Sequence, residues 1–285
     1  MPQLDDPLIL LALVTVGLLA GTLGGLLGVG GSVVMIPALA TLFGTGENQH
    51  LYQAAAMTVN VAVAIPAAHR HRKAGALAPG VLRWMLPAAV LAIVLGVLAS
   101  NLPIFENDTG GKWLGRVLAV FLLYVIAVNL RKLRKPKAQR DIETLDDAKA
   151  TPTRCGGVGG IMGFTAGLMG VGGGALAVPL QQTLARLPLR NAIANSSFVM
   201  VFSAAIGASL KLATLGGHFD PTLMPRPAWQ SALIIAALLA PTAILGARLG
   251  AKLTHALPLD HVRVAFVLLM VVAALKMAAI PGLPI

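Results

Sequence analysis

Charge is scarce in this chain. Asp, Glu, Lys and Arg make up 12% of its 285 residues, while 56% are hydrophobic. That is about half the charge fraction of a soluble domain, and mean hydropathy is +0.80. The composition argues against a soluble fold and reads as a polytopic membrane protein. Cysteine is nearly missing. Cys155 is the single one, so no intramolecular disulfide forms, and a lone thiol lacks the partners of a metal site. Acidic residues are few and peripheral. All eleven, from Asp5 and Asp6 to Asp220 and Asp260, fall in loops or at the ends of apolar runs. An embedded carboxylate is the usual proton or sodium relay. Its lack argues against that mechanism, leaves coupling through histidine or backbone carbonyls open, and suits an anion as cargo. There is also no HExxH, no GxSxG and no pair of intramembrane aspartates. An intramembrane enzyme is therefore disfavoured, and no catalytic residue, metal or cofactor is expected.

What is present is apolar sequence in long blocks. Eight regions qualify as spans, at about 8–43, 51–69, 79–100, 113–130, 156–184, 190–215, 228–250 and 262–281. Such limits hold to within a few residues. The fold class expected is all-α, with about eight transmembrane helices. The one long polar segment runs from Arg131 to Arg154 and reads as a linker. This divides the chain into a first membrane repeat (1–130), a basic cytoplasmic linker (131–155) and a second repeat (156–285). The N-terminal run lacks a basic leader and carries Asp5 and Asp6 instead, so it reads as a retained first span.

The net charge of +11 comes from Lys and Arg in short loops without interleaved aromatics. This pattern argues against nucleic acid and for positive-inside loops. Eight simple spans with a cytoplasmic N-terminus place HRHRK (69–73) and the linker inside. Both termini are then expected in the cytoplasm of an inner-membrane protein. The first region is too long for one straight span: about 36 residues at ~1.5 Å each exceed ~30 Å of hydrocarbon. Tilt, protrusion or a re-entrant segment takes up the excess.

One phrase is written twice. GLLGVGGSVVMIP starts at Gly25 and GLMGVGGGALAVP at Gly167. With Gly21 on Gly163, eight of 17 positions up to Pro37 and Pro179 are identical. A weaker match sets Thr58 on Asn195 and Asn60 on Ser197. Two related halves, parallel or inverted, with substrate held between them, are a common transporter plan. Dense glycine costs roughly 1 kcal/mol per residue against alanine and interrupts a helix. A nucleotide-binding glycine loop needs a strand and a βαβ unit, and neither is present. Gly21/Gly25 and Gly163/Gly167 suit close helix packing. For Gly28, Gly30, Gly31 and Ser32, and for Gly170, Gly172, Gly173 and Gly174, two readings stand. One is packing alone. The other is a broken helix whose new start presents N–H groups to an oxyanion.

These doubled glycine–proline phrases, in two halves of a chain this long, resemble the TauE/SafE family of sulfite and sulfonate exporters. The resemblance covers nearly the whole chain, with Ser32 standing where the second copy has Gly174. It implies transport of a small sulfur anion such as sulfite, a sulfonate or thiosulfate. An anion channel or a carrier of another organic anion is the other reading. A negative-inside potential favours anion exit by ~2.3 kcal/mol per charge per 100 mV, so export can run as uniport.

Other polar residues in the spans complete the candidate substrate site. Thr58, Asn60, Asn195, Ser196 and Ser197 either donate to the anion or bond between helices, and Gln181 or Gln182 faces the cavity. Lys211 reads as snorkelling to the cytoplasmic surface, with an anion counter-charge as the alternative. His69 and His71 read as solvated, and Trp84, Trp113 and Trp229 as interfacial. The partners expected are the bilayer, a small anion and, through a small-residue face, a second copy of the chain.

Overall fold

The computed structural model describes residues 6–44, 49–102, 151–218 and 226–258, with scattered positions in 116–134 and 260–271. Among the described residues eight α-helices, numbered here in chain order, carry the core. They are α1 (Pro7–Leu27), α2 (Ser32–Phe43), α3 (Gln49–Lys73), α4 (Pro79–Ser100), α5 (Pro152–Met169), α6 (Gly174–Thr183), α7 (Leu189–Thr214) and α8 (Ala228–Ala256). Among the described residues, five are long and apolar enough to cross a membrane. These are α1, α3, α4, α7 and α8. The expected spans at 113–130 and 262–281 and most of the linker lie outside the fully described residues, as does Trp113.

The over-long region 8–43 and its counterpart 156–184 are each split. In α1, Asp6 accepts the Leu8 N–H at 2.9 Å and Pro7 opens the helix. The helix ends on Gly28, which adopts φ 64° and donates its N–H to Gly24 O. In α5, Thr151 caps the start, Pro152 opens it, and Gly170 closes it at φ 70°. Glycine at a left-handed C-terminal position ends a helix without a Cβ penalty. The same punctuation is thus executed twice.

Helix directions follow from the packing. Gly21 lies on the Ala243 backbone and Gly25 on that of Ala247, so α1 runs parallel to α8. Gly159 lies on Met85 and Gly163 on Ala89, so α5 runs parallel to α4. In both pairs a Cβ on the glycine would collide with backbone, so the close approach depends on its absence. At the centre, α3 and α7 are antiparallel: Met57 meets Gly207 and Gln53 meets Lys211.

α2 doubles back. Its start is bonded to Asn60, halfway along α3, and its far end is level with the start of α3, where Tyr52 donates to Gly44 O. The Phe43 and Tyr52 rings pack 6.5 Å apart. The region 8–43 is therefore a helix and a re-entrant half-helix, not a single span. Of the three ways the sequence left open to take up the excess length, the chain uses the re-entrant one, and eight simple spans do not hold. The end of α1 lies near the end of α3, with Gly25 O beside His71, and α8 ends there too, with His255 beside His71. The start of α1 therefore faces the side opposite to HRHRK. A cytoplasmic N-terminus and a cytoplasmic HRHRK do not hold together.

The outer surface is apolar, as lipid requires. Leu8 and Leu11 on α1, Leu91, Leu95 and Leu98 on α4, and Leu245 and Leu249 on α8 are all exposed. Trp84 and Trp229, at helix starts, are 44% and 46% exposed, and Arg83 sits over the Trp84 ring.

Candidate functional site

The two helix breaks meet at the middle of the bundle. Gly174, at the start of α6, packs directly on Gly28 O and Val29. Gly30 and Gly172 approach the same two side chains, Asn60 of α3 and Met200 of α7. Gly28 lies against the Ile193 backbone, and Gly170 against Gln53. Gly173 sits against Met162. Residues from two distant stretches of sequence are thus brought to one place.

The two half-helix starts differ in chemistry. At α2 the backbone donors are already taken. Gly31 N–H and Ser32 N–H both donate to Asn60 Oδ1, at 2.8 and 3.1 Å. Asn60 Nδ2 donates in turn to Ser32 Oγ at 2.8 Å. Asn60 therefore caps α2 from a neighbouring helix, satisfying orphan donors that a helix start leaves open. At α6 the cap position is Gly173, which has no side chain, and among the described residues no side-chain hydrogen bond to the Gly172–Gly174 N–H groups is present. The residue matching Asn60 in the repeat alignment is Ser197, whose side chain is shorter. Ser197 is fully buried and its hydroxyl makes no hydrogen bond.

The other expected donors divide in the same way. Ser196 donates to Gly28 O at 2.7 Å, and Thr58 donates within its own helix to Ala54 O. Asn195 accepts the Ala78 N–H through Oδ1, while its Nδ2 is buried without a partner. Gln181 donates to Ala192 O at 3.1 Å and its Oε1 is buried without a partner. A buried polar atom left unbonded costs about 1–3 kcal/mol. Among the expected site residues, Ser197, Asn195 and Gln181 therefore hold unspent hydrogen-bonding capacity, whereas Ser32, Asn60, Thr58 and Ser196 are engaged.

Two side chains lie where sequence reasoning did not put them. Lys211 does not snorkel: it is 1% exposed. Its Nζ donates to Gln53 Oε1 and Ser100 Oγ, both at 2.7 Å, and sits 3.4 Å from His50 Nδ1. His71 is fully buried rather than solvated, while His69 is exposed. His71 Nε2 faces Gly25 O at 3.4 Å, and a carbonyl only accepts, so Nδ1 takes the His255 Nε2–H at 3.1 Å. Thr254 bonds the Leu26 carbonyl beside them at 2.7 Å.

Gln53, His50 and Ser100, which contact Lys211, are buried polar residues that the sequence reading did not single out. The available signal was a lone lysine inside one span and a Gln/His cluster at the start of another, since embedded polar residues are rare and costly.

The family model for the sulfite exporter TauE/SafE matches residues 13–277. Among curated proteins, the chain is 28% identical to the probable membrane transporter protein MamO of Magnetospirillum gryphiswaldense. That match covers 94% of this chain and 44% of MamO. The chain thus spans less than half the length of that relative. It is 26% identical to a probable membrane transporter protein of Haemophilus influenzae, covering 92% of this chain and 95% of that one. It is also 26% identical to the probable membrane transporter protein YunE of Bacillus subtilis, covering 85% and 88%. No solved structure matches. A membrane protein of apolar helices, with the family model matched along nearly its full length, this chain belongs to the TauE/SafE family of membrane transporters.

Proposed function

We propose that the chain is a secondary transporter that exports a small sulfur-containing anion, bound where the two helix breaks meet. The observation that carries this reading is the meeting of Gly174 with Gly28 and Val29, with the α6 start left without a side-chain cap. Gly172, Gly173 and Gly174 supply backbone N–H groups and the positive end of the α6 dipole. Ser197 and Asn195 supply side-chain donors. The start of α2, neutralised by Asn60, is the fixed wall against which the anion sits.

The halves form an inverted repeat. α1 pairs with α8 as α5 pairs with α4, and the central helices α3 and α7 oppose one another. A two-fold axis in the membrane plane produces this relation, and such pairs rock about a midplane site to alternate access. The substrate class follows the family name; the named relatives are probable transporters of unstated substrate.

Orientation follows from the basic residues. Arg70, Arg72 and Lys73 end α3, Arg83 opens α4, and Arg154 opens α5. Arg190 opens α7, and Arg248 and Lys252 lie late in α8. All of these lie toward one side, whereas Arg226 precedes α8 on the other. The positive-inside rule puts the first side in the cytoplasm and the N-terminus outside the inner membrane. In a Cys155→Ala background, a cysteine at position 6 is expected to react with an impermeant maleimide in intact cells. One at position 73 is expected to react only after lysis. The reverse pattern would overturn the orientation.

The functional test is efflux from proteoliposomes under an imposed potential, with sulfite, thiosulfate, a small sulfonate and sulfate. Saturable, potential-driven movement of one sulfur anion is expected. An intact protein that moves none of them would remove the proposed substrate class.

A further inference from the structure

Lys211 is a buried basic residue that no carboxylate contacts among the described residues. Its ammonium donates to two neutral groups, Gln53 and Ser100, and lies 3.4 Å from His50 Nδ1. Among the described residues the only carboxylates are Asp6 and Asp260, and neither contacts it. Hydrogen bonding to neutral acceptors satisfies the ammonium protons but leaves its charge in place. A buried, unpaired charge is costly and calls for an opposite charge.

Acceptors contact the Lys211 ammonium itself, while unspent donors lie on the side chains around it. Because lysine only donates, the Gln53 oxygen must face Lys211 and its amide nitrogen must face away. That nitrogen is buried and makes no hydrogen bond. Gln49, one turn earlier on the same face of α3, has a second buried and unbonded amide nitrogen. Ser100 spends its own proton on Val97 O at 2.7 Å. The contact from Lys211 to His50 is the long one, at 3.4 Å, and is the easiest to exchange for an anion. Gln53 also packs against Gly170, where α5 ends. The cluster thus adjoins the α5–α6 break and lies toward the side where α1 begins.

We propose that Lys211, Gln53 and Gln49 form a second site, for a small inorganic or sulfur anion, between the central break and the external face. It deepens the proposed export function, and rests on that reading for its place as the exit-side station of the anion path. It is separate from the α6 start, since its donors come from α3 and α7.

The test uses the full chain in detergent and in proteoliposomes. Thermal unfolding is followed with sulfite, methanesulfonate, chloride and phosphate, alongside efflux kinetics. Wild type is expected to be stabilised saturably by at least one of these anions. Lys211→Gln is expected to lose that stabilisation and to raise KM for efflux at least about tenfold, the effect of losing one charge-assisted hydrogen bond. Lys211→Arg should retain both. Gln53→Glu is the second probe. It supplies an internal counter-ion, so it is expected to keep the fold and still lose anion binding, which decides the matter if Lys211→Gln does not fold. Anion stabilisation unchanged in Lys211→Gln or Gln53→Glu would overturn the site, as would no stabilisation of wild type by any anion. Lysine-dependent stabilisation by chloride or phosphate, with no sulfur anion moved, would keep the site and remove the sulfur substrate instead.

Discussion

Changing Gly30 and Gly172 together to alanine is expected to abolish anion efflux while leaving a folded protein. Both residues hold left-handed backbone, at φ 82° and φ 67°. Alanine there costs about 1–2 kcal/mol per position, a loss that a chain of this size can tolerate. The larger effect is geometric. A Cβ on Gly172 would stand 2.5 Å from Asn60 Nδ2, and one on Gly30 would stand 2.8 Å from Met200 Sδ. Relief of these clashes moves the breaks apart, and the N–H groups at the α6 start lose their aim. Loss of two charge-assisted hydrogen bonds weakens anion binding by at least about 100-fold. The control is Gly157→Ala with Gly160→Ala, where a Cβ meets nothing within 4 Å. The control pair should transport as wild type. Full activity in the Gly30/Gly172 variant would show that the breaks serve packing alone.

Asn60→Leu is expected to be the most destabilising single change. It removes the acceptor for Gly31 and Ser32 N–H and the donor to Ser32 Oγ. Three buried polar groups are orphaned, at about 1–3 kcal/mol each, so the loss is on the order of 3 kcal/mol or more. Thermal unfolding in detergent measures it. Asn60→Asp separates the two roles of the residue. It keeps the acceptor at the α2 start and should recover much of the stability. It also places a negative charge beside the proposed anion and should not transport. An Asn60→Leu protein as stable as wild type would mean that α2 does not need its cap. An active Asn60→Asp protein would place the anion elsewhere.

The helices were legible because composition and length fix them. Apolar blocks at 51–69, 79–100, 190–215 and 228–250 lie within or close to α3, α4, α7 and α8. The breaks were legible as places, because glycine density marks them. Their direction was not. Whether the chain continues or turns back after Gly28 depends on Asn60 holding the α2 start and Tyr52 holding its end, contacts across a reversal of chain. The proposed orientation differs from the expected one because of that single turn, since one re-entrant half-helix swaps the side of everything before it. The polar residues were harder. Nothing local separates Ser196, bonded to Gly28 across 168 residues, from Ser197 beside it, which bonds to nothing. Lys211 was misplaced for a related reason. Its position late in an apolar run suits snorkelling, and only the three-dimensional crossing of α7 with α3 and α4 turns it inward.

Selenite offers the most direct test of a shared anion site at the helix breaks, because it mimics sulfite and selenium scatters anomalously. Crystals of the full chain soaked in selenite are expected to show a selenium peak within hydrogen-bonding distance of the Gly172–Gly174 backbone and near Ser197. Loss of that peak in the Gly30→Ala, Gly172→Ala variant would complete the result. A protein that transports selenite but shows its selenium only away from both breaks would contradict it.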